Sequence, residues 1–198
     1  MHVHLQTERL ILRRFTEDDG SLLFELDNDP DVMRFINGGA PVAREEIDDD
    51  ILPALLAYYE RGDAYGFWAA VSKHDQLFLG WLHFRPHEGA PTSEPELGYR
   101  LHRFAWGHGY ATEASRALID DGFAGDIVQR VVAETMAVNI ASRRVMEKAG
   151  LRCVRTFHAE WPVRIPGDEE GDVEYAITRA EWEADRTARD VTGRAGTS

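Results

Sequence analysis

Two stretches carry residues whose types and spacing could do chemistry. In Trp106-Gly107-His108-Gly109-Tyr110-Ala111-Thr112-Glu113-Ala114, two glycines open straight into a run with helical spacing. Gly107 and Gly109 lack a Cβ, so the backbone there can take positive φ and approach a ligand closely. The helix that follows leaves its first N–H groups without intrahelical acceptors, and the partial positive charge at its start favours an exposed anion by roughly 0.3–1 kcal/mol. The turn reads as a phosphate cradle, although Gly-x-Gly taken alone fits an ordinary loop before a helix equally well. Two phosphate-binding devices fail. A P-loop ends in Gly-Lys-Ser/Thr, whereas Gly109 is followed by Tyr110 and Ala111. A dinucleotide-binding turn needs a third glycine where Thr112 stands, and an acid about 20 residues on, where Val128-Gln129-Arg130 has none.

The second stretch is Asn139-Ile140-Ala141-Ser142-Arg143-Arg144-Val145-Met146-Glu147-Lys148-Ala149-Gly150-Leu151. Asn139 suits the N-cap of a helix, Ser142 falls in the first turn on the same face, and Gly150 suits the C-terminal cap. Strand, Trp-Gly-x-Gly-Tyr-Ala-Thr-Glu-Ala, helix, strand and Asn-x-x-Ser-x-x-x-x-Glu-Lys-x-Gly together resemble the GNAT superfamily of N-acetyltransferases. Within it the pattern is most similar to the branch of ribosomal-protein alanine acetyltransferases, the Rim type. The resemblance is dense from Glu94 to Leu151, looser from Thr7 to Phe84 and thin after Phe157. Phe104 departs from it, standing where the wider superfamily often has Arg or Gln. Because backbone N–H groups are expected to hold the pyrophosphate, that departure should matter little.

The resemblance implies acetyl transfer from acetyl-coenzyme A to a primary amine, by direct attack in a ternary complex and with no metal. It places Leu101, Trp106, Gly107, His108, Gly109, Tyr110, Ala111, Thr112, Asn139, Ser142 and Arg144 around the cofactor. A lysine amine has a free pKa of about 10.4 and an N-terminal amine about 7.7–8.0, so the acceptor needs a base. Glu96 is the first candidate by resemblance, with Glu160 second and Asp172 or Glu174 third; a solvated strand-edge acid is an equal reading of Glu96. The Tyr99 backbone N–H, in the Gly98–Tyr99 region, is the implied donor to the carbonyl oxygen. Ser142 is the implied proton donor to the thiolate, whose free pKa of about 8.5 makes that help modest. Phe35, Tyr58, His83 and Glu160 are candidates for the acceptor cleft.

Elements that would position these residues follow from periodicity. Thr7 to Phe15 has strand character and should open the sheet. Thr16 can cap a helix from Glu17 to Asn28 that buries Leu22, Leu23 and Leu26, and a short helix with Val32, Met33 and Phe35 follows. From Val42 to Arg61 the period is helical, with a kink expected at Pro53 and a solvated face at Asp48-Asp49-Asp50. Gly66 to Lys73 and Leu77 to Arg85 form a meander, and Glu96 to Leu101 is the next strand, where Gly98 suggests a bulge or a close approach to ligand. Helices over Tyr110 to Phe123 and Asn139 to Ala149 bracket a strand at Arg130 to Met136. Leu151 to Glu160 and Asp172 to Thr178 close the sheet, Arg179 to Asp185 is a short helix, and Thr187 to Ser198 reads as a disordered tail. The expectation is one α/β (α+β) domain over residues 1–186, with a central mixed, mostly antiparallel twisted sheet flanked by helices.

Composition narrows the partners. Hydrophobic residues are 43% and aromatics 10% of the 198, which is globular, and no run of apolar residues is long enough to span a membrane. The N-terminus lacks an export signal, so a cytoplasmic protein is expected. A net charge of −13 argues against a nucleic-acid partner and favours a neutral or cationic acceptor, or serves solubility alone. Cys153 reads as a small core residue. His2 and His4 lie in a stretch expected to be floppy, and His83 and His87 have no acid or cysteine spaced to complete a metal set. Oligomeric state, monomer or homodimer, stays open, as do two rival functions: a silent acyl-coenzyme A sensor, and an enzyme using the turn for ATP.

Overall fold

Alternation sets the sheet. Leu10 and Leu12 are fully buried while Ile11 and Arg13 between them are half-buried, the pattern of a strand covered on one face. The computed structural model describes residues 2–161 and 164–195, with side chains described as far as residue 188. Its strands are β1 (Val3–Gln6), β2 (Leu10–Arg13), β3 (Gly66–Ser72), β4 (Phe78–Pro86), β5 (Pro95–Leu101), β6 (Arg130–Met136), β7 (Arg152–Phe157) and β8 (Asp172–Thr178). They form one sheet in the order β1-β2-β3-β4-β5-β6-β8-β7, antiparallel except between β5 and β6. The fold is thus a single α/β domain with one mixed sheet flanked by helices.

The helices are α1 (Gly20–Asp27), α2 (Pro30–Met33), α3 (Arg44–Glu46), α4 (Leu52–Tyr58), α5 (Tyr110–Ala124), α6 (Ile140–Ala149) and α7 (Arg179–Ala195). One face of the sheet packs Leu82, Phe84, Leu97, Leu101, Val131 and Ala133 with Leu118 and Phe123 of α5 and Met146 of α6. The other face meets Leu23, Leu26, Leu52 and Leu55 of α1 and α4 through Ala69 and Phe78, with Phe67 and Trp81 half-buried at its margin. None of the described helices is long and apolar enough to cross a membrane.

Several expectations need correction. β1 precedes β2, so the strand at Leu10 does not open the sheet. His4 is not floppy: its ring stacks on buried Trp68 with centroids 4.1 Å apart. The kink expected at Pro53 is a π-turn over Ile47–Ile51 just before it. A proline donates no N–H to the preceding turn, and the wider turn takes up the mismatch. Cys153 is exposed, because β7 is an edge strand whose residues from Arg152 to Thr156 all face solvent. α7 runs through Ala195, past the start expected for a tail, and is anchored by buried Trp182, whose Nε1 donates to Asp120 at 2.6 Å.

The amino-terminal turn is tied to α5 by Glu113. Its carboxylate accepts from Thr7 Oγ1 at 2.5 Å, from the Arg9 N–H at 2.9 Å and from Arg9 Nε at 2.6 Å. Burial alone would raise this carboxyl, but the bonds from Thr7 and Arg9 outweigh it and hold Glu113 below its ordinary value. A folded-state value below the unfolded one means stabilisation that is complete above the unfolded glutamate value, about 4.3, and lost as pH falls through the lower folded value. Thermal melts from pH 7 to pH 3 should show Glu113→Gln starting lower than wild type and losing less on acidification. Parallel curves for the two proteins would contradict this.

Candidate active site

β5 and β6 touch at a single register position, Glu96 opposite Val132, and then part. On its other side β5 stays in unbroken register with β4, His83 facing Gly98 and Leu82 facing Tyr99. Gly98 and Tyr99 therefore lie on an edge with no strand partner, inside the sheet. Of the two expectations for Gly98, a bulge or a close approach to ligand, the bulge does not occur. The irregularity is in β4, where the pairing with β3 slips past Leu79, and Gly80 at φ +133° has Arg100 O where a Cβ would stand. What comes close to Gly98 is His83: a Cβ there would lie 2.5 Å from the imidazole.

Downstream of the parting, the glycine turn has the form the sequence suggested. Gly107 and Gly109 take φ of +77° and +81°, and Gly109 caps α5. The first helical bond runs from the Glu113 N–H to Gly109 O at 3.0 Å. The N–H groups of Tyr110, Ala111 and Thr112 consequently have no intrahelical acceptor. Arg9 reaches the same turn, Nη1 donating to His108 O at 2.9 Å and the guanidinium lying 4.5 Å over the Tyr110 ring. The sequence gives Arg9 no role and Glu113 none beyond its place in the glycine-turn pattern, since their meeting joins residues 104 apart. His108 itself is exposed. Trp106 Nε1 donates to Leu101 O at 2.7 Å, which fixes the turn and occupies that carbonyl. Arg144 is exposed on α6.

Asn139 caps α6, Oδ1 accepting the Ser142 N–H at 3.2 Å while Nδ2 donates to Thr135 Oγ1 at 3.1 Å. The Tyr99 hydroxyl spans from β5 to α6, 2.9 Å from both Ser142 O and Ser142 Oγ. Burial pushes this phenol far up, so it stays protonated. The sequence singled out Tyr99 for its backbone N–H alone; the side chain joins it.

On the opposite face stand Glu96 and two histidines. His83 Nε2 and His87 Nε2 each lie 3.2 Å from Glu96 Oε2. Glu96, reaching across from β5, is the acid that the two histidines share. Burial would raise Glu96, but His83, then His87 and Arg85, outweigh it and hold the carboxyl below its usual range. Glu134 is opposite in sense, raised by burial and by the nearby charges of Glu174 and Glu96. Tyr58 packs edge-on against Phe67 at 5.6 Å, and Phe67 against His83 at 5.5 Å, so two of the four cleft candidates share Phe67 as a neighbour. Phe35 touches Arg34 instead, and Glu160 is exposed beyond the end of β7. The remaining base candidates are engaged. Asp172 accepts from the Ala159 N–H at 3.0 Å and Trp161 Nε1 at 3.3 Å, and Glu174 is held by Arg130 and Arg155, each at 2.5 Å, which lowers it after burial is overcome.

A sheet that parts beside a glycine turn opening into a helix is the arrangement the resemblance implies, and comparison agrees on the family. The model of the GNAT acetyltransferase domain matches residues 9–152, and the chain belongs to this family. It is 33% identical over 187 residues to FsC-acetyl coenzyme A-N(2)-transacetylase of Aspergillus fumigatus, covering 90% of this chain and 77% of that protein. RimL, a ribosomal L7/L12 alpha-N-protein acetyltransferase solved with coenzyme A, superposes with a TM-score of 0.74 at 19% identity over 89% of this chain and 98% of its own. The aminoglycoside acetyltransferase AAC(6')-Ib with coenzyme A gives 0.70 at 20% identity, over 89% and 99%. Acetyl-coenzyme A is the acetyl donor for this fold. At these identities the two solved structures speak for the fold alone, and the Rim-type branch is not singled out.

Proposed function

We propose that this protein transfers the acetyl group of acetyl-coenzyme A to a primary amine by direct attack in a ternary complex. The observation that carries the reading is the parting of β5 from β6 just past Glu96, with unpaired backbone beside Gly98 and Tyr99 and the free N–H groups of Tyr110 to Thr112 at its far end. The turn takes the pyrophosphate, and Asn139 on α6 faces the pantetheine arm. The unpartnered edge of β5 at Tyr99 meets the carbonyl oxygen, a contact whose loss typically raises a barrier by about 2.7–4 kcal/mol. Ser142 protonates the thiolate, and the proton acceptor lies in the Glu96 group on the other face.

Amine acceptors of three kinds appear in the names of similar proteins: an N(2) position, a protein N-terminus and an aminoglycoside. The test is thiol release from acetyl-coenzyme A across a panel of such amines, run beside calorimetry of acetyl-coenzyme A binding to Gly109→Val. A β-branched residue is badly strained at φ +81°, and its Cβ would lie 3.6 Å from Arg9 Nη2 at the start of α5. Binding should weaken at least tenfold, about 1.4 kcal/mol. Equal affinity, or thiol release stimulated by no amine, would count against the reading.

A further inference from the structure

His83 has a better-built setting than a cleft-lining residue needs. It faces Gly98 across the β4–β5 pairing, and its ring occupies the space a Cβ at residue 98 would fill, with Cε1 and Nε2 both 2.5 Å from that position. The glycine therefore makes room for an imidazole at the point where β5 loses its partner strand. Phe67 holds the ring edge-on at 5.5 Å and Trp81 flanks it at 5.9 Å, leaving the side chain 12% exposed. Both ring nitrogens are closed off from solvent and neither has a hydrogen-bond partner in the protein, although Nε2 lies in ion-pair range of Glu96 Oε2 at 3.2 Å. A buried polar atom left without a partner beside a reaction centre calls for an explanation.

Building on the acetyl-transfer reading, we propose that His83 is the group that takes the proton from the acceptor ammonium, and that Glu96 is the carboxylate that orients its imidazole and stabilises the imidazolium. Glu96 Oε2 is the carboxylate oxygen on the Nε2 side of the ring, so a small rotation of the imidazole gives an Nε2–H bond to it and leaves Nδ1 as the basic nitrogen, which the proton reaches through a water admitted with the acceptor. The balance is simple. R–NH3+ gives one proton to Nδ1; the neutral amine nitrogen bonds to the thioester carbon, and the C–S bond breaks. Ser142 gives its proton to the departing thiolate, the second proton of the new amide nitrogen restores the serine hydroxyl through solvent, and the imidazolium later releases its proton to solvent. A carboxylate held below its usual range is a weak final acceptor, whereas imidazole ordinarily titrates near neutral pH, where a general base works best. The charged and titratable groups around the ring are Glu96 on β5, Arg85 and His87 on β4 and the loop after it, Glu134 on β6, and Tyr58 with Arg61 beyond Phe67.

The experiment is kcat against pH, at saturating amine, for wild type, His83→Gln and Glu96→Gln, with acetyl-coenzyme A affinity measured beside it. His83→Gln should lose about a hundredfold in kcat and the acid limb near neutral pH, with affinity for the cofactor unchanged. Glu96→Gln should lose about tenfold and keep the limb, displaced to lower pH, because an imidazolium without its counter-charge gives up its proton more readily. His83→Ala should regain activity in buffer containing imidazole, the gain growing as pH rises. A His83→Gln enzyme within threefold of wild type, or a Glu96→Gln enzyme with no limb left, overturns the assignment while the acetyl-transfer reading stands. Wild type without turnover on any amine overturns both.

Discussion

Arg100→Ala is expected to lower the melting temperature by roughly 6–20 °C. Arg100 Nη1 sits 2.5 Å from Asp27 Oδ1, whose side chain is 2% exposed, and the guanidinium lies 5.0 Å over the Trp81 ring. Removing the cation strands a carboxylate in the interface between α1 and β5. Breaking such a pair from one side costs about 3–5 kcal/mol, and each kcal/mol is worth about 2–4 °C in a chain of this size. Removing both charges leaves nothing stranded, so Asp27→Leu with Arg100→Met should melt closer to wild type than Arg100→Ala does. A single variant within 2 °C of wild type, or a double variant melting below it, would show that the pair is not what holds α1 to the sheet. Arg103 repeats the arrangement one turn on with Asp29 and Asp31 at 2.7 Å each, but in the open, where the return is small. α1 is therefore fastened to the strand that carries Glu96, Gly98 and Tyr99 by buried charge as well as by apolar packing.

Local signals in the sequence carried a good deal of this. The β6 and β8 bounds, the Asn139 cap, the left-handed Gly150 and the paired glycines before α5 all follow from nearest-neighbour chemistry, and the structure has each in place. Long-range meetings were not legible. Gly80 and Gly98 look alike in a strand pattern, yet Gly80 sits at the bulge and Gly98 makes room for His83, a distinction that depends on which residues face each other across β4 and β5. Glu96 was singled out by resemblance, but the two imidazoles on its Oε2 come from the far end of β4 and the loop after it. Cys153 was misjudged for a related reason. Its strand was found, and only the sheet order makes it an edge.

Ser142→Ala is expected to lower kcat about a hundredfold with little change in acetyl-coenzyme A binding. Asn139 already caps α6, and alanine is the best helix former, so a Ser142 that only filled the first turn could be lost with little effect on stability or rate. The Tyr99 hydroxyl changes the comparison. It has one proton, and at 2.9 Å from both Ser142 O and Ser142 Oγ it either donates to the carbonyl and holds the serine hydroxyl, whose proton points to the phenol oxygen until the thiolate takes it, or donates to Oγ and makes the serine a better donor. In both arrangements Tyr99 acts through Ser142. Tyr99→Phe should therefore cost less than Ser142→Ala, and the double variant should be no slower than Ser142→Ala alone, because the second change removes support for a group already gone. The loss in Ser142→Ala should shrink as pH falls, when solvent protonates the departing thiolate more readily. The measurement is kcat against pH for the two single variants and the double, with a thermal melt of each. Unchanged kcat in Ser142→Ala returns the residue to a structural role, and losses that multiply in the double variant would mean that Tyr99 donates to the reaction by itself.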